Sequence, residues 1–251
     1  MANSISKIIN ATSHRPWPLP QSPWLIWQSW QKLLFAHWRF DYDQVRPLIP
    51  EQLELESFDG SVWIGVVPFH LTIRPRCSPL WPRFSKFPEI NVRTYVRHGD
   101  RSGVWFFSLD ASNRMACRLA RMTFHLPYNW ADMKMACTDT SISYQSSRKN
   151  EEAEFVGRYQ PVSEVRLAEP GSLEHWLTER YCLYSQSTQG TICVADVHHE
   201  QWPLQDETAS IESNSMFKPL GLRPESPTQA PILHYAERID VVGWNLKSIR
   251  I

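Results

Sequence analysis

The sequence is poor in the residues that several common chemistries require. Its 9 glycines are spread over 251 residues, so a phosphate-cradling loop has little material. There is no G-x-G-x-x-G, no G-x-x-x-x-G-K-S/T, no G-x-S-x-G and no H-E-x-x-H. These absences weigh against a Rossmann nucleotide enzyme, a P-loop enzyme and an α/β-hydrolase. The cysteines, Cys77, Cys117, Cys137, Cys182 and Cys193, are odd in number and contain no C-x-x-C. That spacing suits neither a disulfide framework nor a structural zinc site, and points to reduced thiols in the cytoplasm. No apolar run approaches the ~18 residues that span a bilayer, and Met1–Asn10 lacks the apolar core of a secretory signal. The formal net charge is +0 and the pI about 7.1, without the basic excess of a nucleic-acid binder. Neither a membrane nor a nucleic acid is therefore expected as partner, and homo-oligomerisation stays open. Lysines are few and arginines many, which favours fixed planar contacts over imine chemistry.

Aromatic residues are abundant instead. Twelve tryptophans offer large buried areas and cleft walls. Residues 1–20 are polar, then punctuated by Pro16, Pro18 and Pro20, and read as a flexible arm. Residues 21–251 read as one domain. Strands are expected at Lys32–Phe40 and Val62–Leu71, where Gly65 signals a bulge or a close approach. A proline-rich loop covers Arg74–Pro88. In the next strand Ile90, Val92, Thr94 and Val96 alternate with Glu89, Asn91, Arg93, Tyr95 and Arg97. Ser112 opens a helix to about Phe124, with Met115, Leu119 and Met122 as its apolar stripe and Arg114, Arg118 and Arg121 beside it. Ser172 opens a second helix to Glu179. Gln201–Pro231 reads as a long covering segment. Many strands with few short helices describe a mostly-β barrel or sandwich.

Four groups of residues carry candidate chemistry. Glu89, Asn91 and Arg93 place a carboxylate, an amide and a guanidinium on one strand face. Facing a cavity, Glu89 suits acid–base work; the same pattern also describes a solvent-exposed strand face. The arginine stripe suits an anion or a solvated helix edge. His198-His199-Glu200, and His175 with Glu179 on one helix face, offer metal-ligating side chains or ordinary polar contacts. His198 and His199 project to opposite faces of a strand and would not chelate one ion together, and no metal or other cofactor is expected. Trp24, Trp27 and Trp30 suit the core or a pocket rim better than a membrane surface.

Several strings together resemble the uncharacterised bacterial YqjF-like family. They are Phe35-Ala36-His37-Trp38, Pro68-Phe69, Phe87-Pro88-Glu89-Ile90-Asn91-Val92-Arg93-Thr94-Tyr95-Val96 and Gly103–Ala111. Further ones are Pro170–His175, Glu179-Arg180-Tyr181 and His198–Leu204. More distantly, Trp38–Asp43, Val45-Arg46 and Pro50–Glu54 are similar to the entry segment of acetoacetate decarboxylases. That resemblance implies a closed, cone-like antiparallel β-barrel around a pocket, with Glu89 at the position of a glutamate of those enzymes. It also implies two adjacent lysines after a proline, one of them forming a Schiff base with a keto acid. Here that place reads Leu126-Pro127-Tyr128-Asn129, and a second acidic position falls near Gly65. Lys134, the nearest lysine along the chain, lies too far on and reads as a surface lysine.

The resulting expectation is a pocket for a small organic acid without Schiff-base decarboxylase activity. Glu89 and Tyr128 would be the acid–base or hydrogen-bonding groups. Arg93, Asn91, Arg118, Asn129 and His37 would hold the ligand. Two alternatives accompany it. One is an enzyme using Glu89 and Tyr128 for enolisation, hydration or a lyase reaction on a small carbonyl compound. The other is an interaction protein docking through the proline-rich segment Pro203–Pro231.

Overall fold

Alternating side chains build this molecule in two layers. The computed structural model describes residues 2–77, 86–226 and 229–249. Its elements are α1 (Ala2–Asn10), β1 (Ile26–Phe40), α2 (Tyr42–Val45), β2 (Glu54–Leu55), β3 (Val62–Pro75), β4 (Lys86–His98) and β5 (Arg101–Ala111). They continue with α3 (Arg114–Phe124), β6 (Tyr128–Trp130), β7 (Asp132–Cys137), β8 (Ile142–Ser147), β9 (Glu154–Pro161) and α4 (Leu173–Thr178). The chain ends with β10 (Cys182–Gln186), β11 (Ile192–His198), β12 (Leu204–Gln205), β13 (Glu207–Asn214), β14 (Ile232–Gly243) and β15 (Lys247–Ser248).

The larger sheet runs β12-β14-β1-β3-β4-β5-β10-β11-β15, with β2 on β4 and β6 on β5. β11 also pairs with β14 through Val197↔Gly243 and His198↔Val242, so the path of paired strands returns on itself. The expectation of an antiparallel sheet needs one correction. β10 and β6 each pair with β5 in parallel, because α4 and the turn after α3 return the chain in the same direction. A second sheet, β13-β9-β8-β7, was not foreseen. It incorporates Glu207–Asn214, part of the expected covering segment. Residues 78–85 of the expected proline-rich loop lie outside the described residues.

Residues of one parity on β1, β3 and β4 (Leu34, Ala36, Ile64, Val66, Ile90 and Val92) pack with Tyr144, Phe155 and Tyr159 of the second sheet. Residues of the other parity (Leu33, Phe35, Val67, Phe69 and Phe87) belong to a separate cluster with Trp202. A strand with both faces covered reads as continuously apolar, which explains why Val62–Leu71 shows no polar alternation. Lys32 takes φ 55 at a register shift between Gln31 and Ala36, so β1 begins earlier than its sequence suggests.

The expected loose arm is tied down. Ile8 is buried, its carbonyl lies 2.9 Å from His198 Nε2, and Arg15 forms a buried ion pair with Asp196 at 2.7 Å. The Ser172 cap is found, accepting from the His175 amide. At α3 the cap is Asn113 rather than Ser112. The expected apolar stripe of α3 faces outward: Met115, Leu119 and Met122 are 61%, 46% and 68% exposed. The sheet accepts the small residues of that helix instead, with Cys117 buried against it.

Candidate functional site

The face of β4 that carries Glu89, Asn91 and Arg93 turns inward. Their exposures are 3%, 5% and 7%, which removes the solvent-face alternative. All three line a cavity of about 200 Å³. Its walls are mostly apolar: Trp30 and Leu33 from β1, Val67 and Phe69 from β3, Phe106 and Leu109 from β5, and Trp202. From α3 the small side chains Ala116 and Ala120 line it, together with Leu119. Common ligand pockets span ~300–1,000 Å³, so this one suits a small molecule.

Tyr128 reaches the cavity from β6, after Pro127 and a left-handed His125 (φ 52) end α3. Its hydroxyl donates to Glu89 Oε2 at 2.9 Å. The Tyr144 hydroxyl donates to the Glu89 carbonyl at 2.7 Å, fixing the backbone there from the second sheet. Burial pushes the Glu89 carboxyl up to about 8; the Tyr128 hydrogen bond pulls it partly back, and nearby Asp110 raises it. Burial raises the Tyr128 hydroxyl well above its usual range, with Glu89 adding to it. At neutral pH the site therefore holds a protonated acid beside a neutral phenol. Asp110 itself is answered by Arg148, whose Nε and Nη2 donate to its two oxygens at 2.7 Å each.

Arg93 is the unbalanced charge. Its Nη2 donates to the Leu177 carbonyl at 3.4 Å, and its guanidinium lies 5.2 Å from the Phe35 ring centre. Among the described residues it has no carboxylate partner, and its Nε has no hydrogen-bond acceptor. Asn91 Oδ1 is likewise unpartnered. Unpaired buried polar groups are costly and call for an explanation.

Three other expected residues lie elsewhere. Arg118 is exposed, half a helical turn from the alanines that line the cavity, so it does not belong to the site. Its companions stay outside as well: Arg114 stacks 3.9 Å from the Trp130 ring centre, and Arg121 Nε donates to the Tyr128 carbonyl at 2.5 Å. Asn129, next to Tyr128 in a strand, points the opposite way, into a surface hollow with Arg148. His37 is fully buried beneath the site, 2.7 Å from the Tyr95 hydroxyl. Burial, then Arg93 and His234, lower its pKa well below the usual value. It occupies the space beside Gly65, where an added Cβ would meet His37 Nε2 at 2.8 Å. The glycine thus marks a close approach of a side chain.

Arg180, Thr178 and His199 also line the cavity. The sequence reading missed them as site residues, although Arg180 and His199 stand in two of the strings that carried the family resemblance. His198 and His199 do part, His199 to the cavity and His198 toward α1. Among the described residues no three histidine, cysteine, aspartate or glutamate side chains are grouped to hold a metal. Among the described residues no lysine lines the cavity, and Lys134 is exposed on β7.

A family model for DUF2071, described as an uncharacterized conserved protein, matches residues 27–240. The chain belongs to that family. Among DUF2071-type relatives, the uncharacterized protein YqjF of Bacillus subtilis (strain 168) is 44% identical over 232 residues, 91% of this chain and 94% of YqjF. Solved structures extend the comparison of this DUF2071 member at the level of fold. The enduracididine biosynthesis enzyme MppR complexed with pyruvate is similar with TM-score 0.63 and 9% identity, over 93% of each chain. Acetoacetate decarboxylase from Legionella pneumophila is similar with TM-score 0.61 and 12% identity, over 97% of this chain and 95% of its own. At such identities the likeness shows a shared fold. No helix of the described residues is long and apolar enough to cross a membrane.

Proposed function

We propose that the protein binds a small organic acid in the Glu89–Arg93 cavity and does no Schiff-base chemistry there. The observation that carries this reading is Arg93, a buried cation facing an apolar cavity with no carboxylate partner among the described residues. A buried charge is costly unless paired, and a ligand carboxylate is its natural partner. Glu89, protonated by its burial, and the Tyr128 hydroxyl suit hydrogen bonds to a carbonyl or hydroxyl on the same ligand. The absence of lysine from the lining supports the exclusion of an imine. The return pairing of β11 with β14 supports reading the larger sheet as a closed, cone-like barrel. Five unpaired cysteines support placing it in the cytoplasm. Among the solved neighbours, MppR is described with pyruvate bound.

The test is a ligand-observed NMR screen of short carboxylic acids against wild type, Arg93→Gln and Glu89→Gln. Saturable binding that Arg93→Gln weakens at least tenfold supports the reading. Equal binding by all three proteins rejects it.

A second reading, an enolising, hydrating or lyase enzyme, draws on the Glu89–Tyr128 pair. A carboxyl near 8 is poised for proton transfer near neutral pH. Exchange of the α-protons of a bound carbonyl acid with D₂O, following a bell-shaped pH profile that Glu89→Gln abolishes, would establish turnover. Ligand binding without exchange would leave binding alone.

A further inference from the structure

Arg180 approaches the same cavity from a different part of the chain. It follows α4 directly, is 7% exposed, and lines the cavity with Arg93. Its Nε donates to the Trp176 carbonyl at 2.8 Å and its Nη1 to Glu56 Oε2 at 2.6 Å. Its Nη2 has no partner. The two guanidiniums pack on one ring: Arg93 lies 5.9 Å and Arg180 4.8 Å from the Tyr95 centroid. Each therefore keeps one buried N–H unsatisfied at one end of the cavity. Neighbouring like charges in an apolar interior repel, and among the described residues the one carboxylate in an ion pair with either of them is Glu56, on Arg180. The local sum of two guanidinium cations and one carboxylate is +1. Asp196, at another part of the lining, is engaged by Arg15 and Arg101. Burial lowers the His199 pKa, partly offset by Glu179.

We propose that Arg93 and Arg180 form an anion clamp that takes one carboxylate, on a monocarboxylic acid whose remaining body is apolar. This rests on the acid-binding reading above and narrows it. A monoanion brings the buried sum to zero, whereas a dicarboxylate or a phosphate leaves uncompensated negative charge in a dry site. Planar, fork-like guanidinium donors match a carboxylate. The rest of the ligand meets Trp30, Phe69, Phe106 and Trp202, which offer ring faces and few polar partners.

Isothermal titration of the full chain with 3-phenylpropanoate, 3-phenylpropanamide, succinate and inorganic phosphate tests this. The wild type is expected to bind 3-phenylpropanoate at least tenfold more tightly than the other three. Arg180→Gln and Arg93→Gln are each expected to weaken it at least tenfold, with Arg180→Lys in between. The double variant Glu56→Gln/Arg180→Gln removes both members of the buried pair. The same loss in that variant, with an unchanged melting temperature, shows that the effect is not unfolding. Unaltered binding by Arg180→Gln and by the double variant, with Arg93→Gln weakened, overturns the clamp and leaves the acid pocket standing. Tighter binding of succinate or phosphate overturns the monocarboxylate assignment. Saturable binding of no acid by wild type overturns the clamp and the acid pocket together.

Discussion

Tyr128 donates a 2.9 Å hydrogen bond to Glu89 Oε2, joining the strand that follows α3 to the polar face of β4. One partner is a phenol whose pKa burial raises, the other a carboxyl that burial holds protonated to about pH 8. The pair gives the cavity a hydrogen-bonding end that carries no charge at neutral pH, with a cation, Arg93, four residues along the strand on the same face.

This has a consequence for stability. The folded protein binds the Glu89 proton up to about pH 8, whereas an unfolded carboxyl releases it near pH 4.3. Between those values the native state carries the extra proton, so stability falls as pH rises. The slope attributable to Glu89 is roughly 1.4 kcal/mol per pH unit and flattens above about pH 8. Denaturant unfolding of wild type and Glu89→Gln from pH 5 to 9 measures it. The variant should gain on wild type up to about pH 8 and then level off, and parallel profiles would contradict the assignment.

Removing the Tyr128 hydroxyl should act in one direction. The hydrogen bond holds Glu89 lower than burial alone would place it. Tyr128→Phe is therefore expected to raise the Glu89 pKa by on the order of one unit, read from its carboxyl carbon in a ¹³C NMR titration. A fall would show that the hydroxyl does not donate to the ionised carboxylate.

Gly65 offers a steric test. A methyl there would sit 2.8 Å from Nε2 of the fully buried His37 ring, so one of them must shift. Gly65→Ala should cost ~1–3 kcal/mol in denaturant unfolding. Adding His37→Ala should recover part of that loss, because it removes the clashing ring. Additive losses in the double variant would place the strain elsewhere.

The fold was legible where local chemistry and tertiary context agree. Alternation grouped Glu89, Asn91 and Arg93 on one strand face but left open whether that face met a cavity or water; burial decides it, and Ser172 capped the helix it was expected to cap. It was illegible where context overrides pattern. The Met115–Leu119–Met122 stripe has the spacing of a core face, but the sheet leaves room only for the alanines and Cys117 of α3. Arg118, expected to hold an anion from the arginine stripe beside that face, is exposed and does not line the cavity. β6 and β10 run parallel to β5, and no local signal marks this. Arg180 was hidden for a further reason: an arginine after a short helix ordinarily faces water, and its burial depends on Glu56 and Tyr95, which lie far away in sequence.

Without a lysine in the cavity lining, borohydride added with acetoacetate should trap no covalent adduct, as read by intact-protein mass spectrometry. An adduct on Lys134 or any other lysine would bring imine chemistry back.

Native mass spectrometry of the protein purified without added ligand addresses the central claim most directly. Wild type should carry a small acid that is released on denaturation, and Arg93→Gln should come through empty while remaining folded. The same bound molecule on both proteins would contradict the claim that Arg93 holds the ligand's anion.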